Sequence, residues 1–355
     1  MNEMHVEPAQ DAPQRWSLRT DVAIGSPQDS MLILAGGRFE RALKLSGASS
    51  ELARLLETPV TTAQLAEHLA ARYPRHPAGQ RHAAVGAFLQ RLDRAGLLEA
   101  PATAVAGPAA AESASPPMLA RWRLPNPDAA ARRVADALGK APAALGSAAR
   151  AGLVAAVLLC LIGIARLHPI DHASRLDAAS GAGIGALLLL WLAGHEFAHA
   201  VACRLHGFPV AGAGLKFRGF LLPSAYVNTS AIALGDRRDV QCAVALAGPR
   251  FDLGFAACCL AVALAAPHGG AVSLIAEYGA VVTLVALFFN LTPFRASDAS
   301  SAFSALFSEG GAPDGWPRAR AGDWPHASLF HGLYGSAYAL LTFRLLTQLI
   351  DSLTS

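Results

Sequence analysis

From Gly181 to Cys203 the chain is apolar throughout apart from one run, His195-Glu-Phe-Ala-His199. A stretch this long and uncharged matches the thickness of a bilayer. In lipid it must satisfy its backbone hydrogen bonds within itself, so a helix is its expected state. Four further apolar segments accompany it: Ala151–Ile164, about Val240–Ala266, Ala271–Leu291 and Leu329–Ile350. The first is short for a membrane span, and the third is interrupted by Gly248-Pro249-Arg250 and Asp252.

Composition points the same way. Hydrophobic residues make up 53% of the 355 residues and charged ones only 15%, against roughly 25% charged in soluble proteins. Mean hydropathy is +0.35. A net charge of +3 gives nucleic-acid binding no compositional support. The five cysteines all fall in apolar stretches without paired metal spacing, and read as small buried apolar residues. Met1–Arg19 is polar and carries no secretory signal, so the front of the chain is expected to stay in the cytoplasm.

Basic residues orient the spans. The arginines before Ala151 hold the N-terminal part inside, so the second span runs inward and places His195 and His199 near its cytoplasmic end. Arg237-Arg238 then lies in a cytoplasmic loop, and the fourth span returns inward to Asn290-Leu-Thr-Pro-Phe-Arg-Ala-Ser-Asp298. Arg166 and Arg175 fall in the outer loop and count against the scheme. It nonetheless puts both polar motifs at one depth on one side of an inner cell membrane, in a multi-pass chain.

Two histidines four residues apart project from one helix face about one turn apart, as a single metal ion requires. Glu196 stands beside them, placed as a general base. The bland alternative, two histidines satisfied by neighbouring helices, is weakened because ionisable groups in membrane helices are costly and usually functional. Catalytic zinc takes three protein ligands and keeps a position for water. Asp298 is the best third ligand, against the reading of a solvated loop aspartate. Asp252 competes, but is read as a packing or hydrogen-bonding group near the site. Glu277 is discounted as lying near the opposite membrane face. His206, His268, His326 and His331 have no partner at ligand spacing.

The front end differs in kind. Residues 1–29 are expected to be disordered. Met31–Leu45 reads as two short strands turning at Gly36-Gly37. Helices follow at Ser49–Leu56, from Thr61-Thr62 with Leu65 and Leu69 on one face, and at about Ala83–Ala95, stopping at Gly96. This is a winged-helix-like α+β domain over residues 30–100. Leu65-Ala-Glu-His-Leu-Ala-Ala-Arg-Tyr and Phe88-Leu-Gln-Arg-Leu-Asp-Arg-Ala-Gly-Leu-Leu resemble the peptide chaperone of pyrroloquinoline quinone synthesis, whose relatives recognise leader peptides. The resemblance implies that a leader peptide adds a strand to the hairpin edge and lies against a helix. A domain that only contacts a partner, or that formerly bound DNA, is the alternative. Residues 101–117 have linker composition. Residues 118–150 form a basic segment, helical beyond Pro127, suited equally to anionic lipid headgroups and to plain solvation.

His195-Glu-Phe-Ala-His, Ala247-Gly-Pro-Arg-Phe-Asp and Asn290-Leu-Thr-Pro-Phe-Arg-Ala-Ser-Asp together resemble the site-2 protease family of zinc intramembrane metalloproteases, over about Gly181–Phe303. The resemblance implies one catalytic zinc ion held by His195, His199 and Asp298, and a water activated by Glu196. It also implies that Asn290, with Pro293, contacts the substrate strand or an oxyanion. Gly207–Ile232 resembles the family's hairpin-like insertion, an edge for an extended substrate. One departure stands out: the family's last motif usually ends Asp-Gly, and here Ala299 follows Asp298.

The whole reads as a mostly α, polytopic membrane bundle of about five spans, the peptidase part covering residues 151–355, behind a peptide-binding front domain. Its partners would be the bilayer and a peptide or membrane-protein substrate. The leading function is cleavage of a ribosomally made modified peptide captured by its leader. The alternatives are regulated cleavage of a membrane-anchored transcription or anti-sigma factor, and a non-catalytic peptide-binding adaptor.

Overall fold

The computed structural model describes residues 14–28, 31–75, 77–99, 121–164, 177–218, 222–235, 237–267, 269–292, 297–307, 332–336, 338–340 and 342. The expected linker at 101–117, Pro293, His268, His326, His331, Arg166 and Arg175 lie outside these residues.

The front domain begins earlier than expected. Strand β1 (Arg15–Trp16) and strand β2 (Ala23–Gln28) lie in the stretch expected to be disordered. β2 is drawn into the fold because it pairs antiparallel with β3 (Met31–Gly36), which pairs in turn with β4 (Arg41–Ser46). The sequence order 2-3-4 is also the order in the sheet. Helix α1 (Ala48–Leu55), strand β5 (Val60–Thr61), helix α2 (Thr62–Arg72) and helix α3 (Ala78–Arg94) complete the domain. β1 pairs with β5. α2 starts where expected because Thr61 closes a capping box with Gln64, satisfying two otherwise orphaned N–H groups. Alternation along β3 splits its side chains between two cores. Leu32 and Leu34 join Leu52, Leu65, Val85, Leu89 and Leu92 inside the front domain. Met31, Ile33 and Ala35 point the other way and pack on Ala200, Cys203, Phe208 and Val244 of the second half.

The basic segment after the linker is built into the second half rather than laid beside it. Strand β6 (Arg121–Leu124) pairs with β7 (Gly212–Arg218), which pairs with β8 (Leu222–Asn228). Helix α4 (Asp128–Gly139) buries Ala131 and Ala135 and packs against α6 (Ala178–Leu205), while Arg132 and Arg133 stay exposed. Helix α5 (Ala143–Ile164) starts eight residues before the expected span and takes Arg150 inside it.

A 3₁₀ turn (Ser230–Gly235) leads from β8 to α7 (Arg238–Ala245) and α8 (Ala247–Ala265), then α9 (Ala271–Asn290) and α10 (Asp298–Phe307). The expected third segment is thus broken at Leu246, with Pro249 tolerated in the first turn of α8, where no N–H partner is lost. Four stretches are long and apolar enough to cross a membrane: Gly146–Gly163, Ala178–Leu205, Arg238–Ala265 and Ala271–Asn290. They pack through small side chains, Ala156, Ala256, Ala257 and Ala280 among them, while Val154, Leu158, Leu161, Leu189 and Leu190 face outward. The expected fifth segment, 329–350, is helical at 332–336 and 338–340. There Tyr338 stacks on Phe288 at 4.5 Å and donates to the Phe288 carbonyl at 3.0 Å. Its remaining residues lie outside those described.

Candidate metal centre

The two polar motifs expected at one depth do meet. His195 and His199 lie one turn apart on α6, and Asp298 opens α10. His195 Nε2 is 3.3 Å from His199 Nε2, and the Asp298 Oδ2 atom is 3.3 Å from the first and 3.4 Å from the second. A tetrahedral zinc with ligands at about 2.0–2.1 Å separates its ligand atoms by about 3.3–3.4 Å. The triangle formed by these three side chains is therefore of zinc size. Among the described residues, it is the one group of three or more His, Cys, Asp or Glu side chains close enough to hold a metal ion together.

The other nitrogen of each imidazole is engaged. His195 Nδ1 lies 2.8 Å from Asp252 Oδ1, and His199 Nδ1 lies 2.7 Å from the Val244 carbonyl. Such contacts hold the proton on Nδ1 and leave the Nε2 lone pairs facing the shared point. Asp252 is completely buried on α8, and its Oδ1 also accepts from Trp191 Nε1 at 2.7 Å. This agrees with the hydrogen-bonding role expected of it. Its Oδ2 is buried and unpartnered among the described residues.

Space for an ion is kept by Gly248. A Cβ there would stand 2.5 Å from His195 Nε2 and 2.5 Å from His199 Nε2. Any side chain at 248 would occupy the region where the Nε2 atoms converge. The donor set, the spacing and this gap all fit zinc.

Glu196, between the histidines in sequence, is partly buried on α6, which packs against β8, and lies within electrostatic reach of His195, His199 and Asp298. Asn290 reaches the cluster through Asp298. Its Nδ2 donates to Asp298 Oδ2 at 2.7 Å, and its Oδ1 accepts from the Asp298 backbone N–H at 3.4 Å. The side chain thereby orients the carboxylate. Ala299 sits in the first turn of α10, an ordinary helical position that alanine adopts freely. Glu277 lies away from the cluster, bonded to Ser273 at 3.1 Å.

Two further features had no local signal in the sequence. Arg204, just past the histidines, makes a two-pronged ion pair with buried Asp128, with Arg204 Nε 2.7 Å from Asp128 Oδ1. Its Nη1 donates to the Ile24 carbonyl of β2 at 2.8 Å, so α6 is tied to the front domain. The Val244 carbonyl is backbone, and nothing in a side-chain pattern marks it.

The front domain is similar to a known family. Residues 31–98 match the family model described as Coenzyme PQQ synthesis protein D (PqqD). This is a peptide-binding, chaperone-like family, and the match is confined to the domain whose core was described above. No curated protein and no solved structure matches the chain.

Proposed function

We propose that the chain is a zinc metallopeptidase of site-2 protease type, set in the inner cell membrane, that cleaves a peptide presented by its PqqD-like front domain. The observation that carries the reading is the zinc-sized triangle of His195, His199 and Asp298 with Glu196 beside it. The four long apolar helices support a multi-pass setting, and the PqqD-like domain supports a peptide client from a modified-peptide pathway.

His195, His199 and Asp298 would hold the zinc, which when bound supplies a Lewis acid that acidifies water and polarises a peptide carbonyl. Asp252 and the Val244 carbonyl keep the two imidazoles in the ligating tautomer, and Asn290 aims the Asp298 carboxylate. Glu196 takes the proton from the attacking water and returns it to the leaving amine, the two halves of one general acid–base cycle. The substrate reaches Glu196 as an extended strand along β8, because a helical peptide bond is shielded by its own hydrogen bonds. The PqqD match favours peptide maturation over cleavage of an anchored transcription or anti-sigma factor.

The test uses full-length protein in lipid nanodiscs, incubated with short peptides encoded beside its gene and read by mass spectrometry. Glu196→Gln should bind zinc normally and lose about 10²–10⁴-fold in cleavage rate. Full cleavage by this variant removes the assignment, and zinc-free wild-type protein with an intact fold favours a non-catalytic adaptor.

A further inference from the structure

Two sheets in this molecule end in strands with nothing paired beyond them among the described residues: β4 in the front domain and β8 beside the metal centre. The opposite edge of the front sheet is closed. β2 carries Pro27 and a register shift between Gly25 and Gln28. It also presses on the turn after α6 so tightly that a Cβ at Gly25 would stand 2.5 Å from Pro209 Cδ. A strand joining the front sheet therefore has β4 to join.

The free edge of β8 faces the chemistry. The Asn228 carbonyl accepts from the Ala211 N–H on the β7 side, so alternation along the strand turns the backbone groups of Val227 away from β7, on a strand that packs against α6. The alternation of an antiparallel ladder turns Ala225 the same way.

The two edges touch end to end. Glu40 immediately precedes β4 and is buried at a left-handed φ of 49°, a conformation that costs a non-glycine residue free energy unless its surroundings hold it. The surroundings are β8 and β6. Asn228, the last residue of β8, donates to the Glu40 carbonyl at 2.9 Å, and the Tyr226 hydroxyl lies 3.2 Å from Glu40 Oε2. Arg123 Nε lies 3.2 Å from Glu40 Oε1.

Strand direction then selects one path. A peptide antiparallel to β4 travels from the Ser46 end to the Arg41 end and leaves at Glu40. There it meets the Asn228 end of β8, which is where a peptide antiparallel to β8 begins. Parallel pairing on β4 would send the peptide out at Ser46, away from β8, and is also the slightly weaker ladder. We infer that the edges of β4 and β8 form one continuous track for an extended peptide, its N-terminal part held on β4 and its C-terminal part led along β8 past Glu196. This deepens the peptidase reading and rests on it for the meaning of the second half of the track. A leader must then precede the scissile bond, at a spacing set by the protein. The exposed cations Arg41 and Lys44 on β4 suit a leader with acidic residues.

The experiment places a photoreactive amino acid at exposed Lys44 or exposed Ser224 in the Glu196→Gln protein, zinc-loaded and in nanodiscs. The probe is a displayed library of random-sequence peptides, enriched on that protein. Zinc content of each labelled protein reports that its fold is kept. The track predicts that both positions label the same peptide, Lys44 reaching residues N-terminal to those reached from Ser224, at a constant spacing across unrelated peptides. Reversed order, variable spacing, or labelling from one position alone overturns it. Cleavage by the wild type is followed in parallel. Ordered labelling without Glu196-dependent cleavage keeps the track and removes the peptidase reading; Glu196-dependent cleavage with disordered labelling does the reverse.

Discussion

The front domain and the bundle of apolar helices bury their surfaces by different rules. In the front domain, large side chains such as Leu32, Leu65, Val85 and Leu92 fill the centre, and charged residues cover the outside. Among the long helices the large side chains Leu158, Leu161, Ile162, Leu189 and Leu190 lie outside, while alanines, Cys259 and the polar Asp252, Ser273 and Thr283 lie inside. Water drives the first arrangement through apolar burial. In lipid there is no such drive, so helices close on small residues and on polar groups that need partners. The difference teaches what each part can house: an open sheet edge on the domain built around large apolar side chains, and buried polar groups among the long apolar helices.

That contrast can be broken most forcefully at the joint between the two. Arg204 and Asp128 are a largely buried pair that also holds the Ile24 carbonyl and the Val210 N–H. Arg204→Ala should cost about 3–5 kcal/mol, because Asp128 is left as an uncompensated buried charge. Thermal unfolding in detergent should show the front domain and the metal centre losing stability together. Independent transitions, with zinc retained, would mean that the two regions are not coupled through this pair.

Gly248→Ala acts on the bundle alone. The added methyl overpacks the histidine rings at a cost of about 1–3 kcal/mol. Metal analysis should find the zinc lost and the front domain still able to bind peptide. Gly25→Ala is the counterpart on the other side, with a similar penalty of about 1–3 kcal/mol from its clash with Gly207 and Pro209. Hydrogen exchange should rise along β2 and in the turn after α6, with zinc content unchanged. The smallest effect is Thr61→Ala, which removes the capping box of α2 and costs about 1 kcal/mol. It should lower the stability of the front domain only, measured by denaturant unfolding; a loss of zinc in the same variant would contradict the separation.

Much of the fold was legible because it rests on local patterns. The hairpin turning at Gly36-Gly37, the capped start of α2 and the long apolar helices follow from turn chemistry, capping and hydropathy. The same holds for the pairing of His195 with His199, since a spacing of four puts two side chains on one helix face. What could not be read was the length of ordered chain before Met31. Ala23–Gln28 carries Gly25 and Pro27, poor strand formers, and becomes a strand only because β3 offers it an edge and the turn after α6 leaves room for a glycine. The packing of the basic stretch before α5 was hidden for a related reason. Its charges are visible in sequence, but the partners that order it, Arg204 for Asp128 and β7 for β6, lie far along the chain.

At the candidate metal centre, the sequence by itself determined the donor side chains, the spacing on α6 and the glutamate beside them, because side-chain chemistry and helical pitch are local. Only the tertiary structure decided the rest. It brought Asp298 to a zinc-sized distance from both histidines, turned Asn290 toward that carboxylate, set Asp252 and the Val244 carbonyl behind the two rings, and left Gly248 as the open space. It also joined β4 to β8 through Glu40. Each of these depends on how separate helices and strands cross, and contacts between distant segments are fixed by packing rather than by any pattern in the segment that makes them.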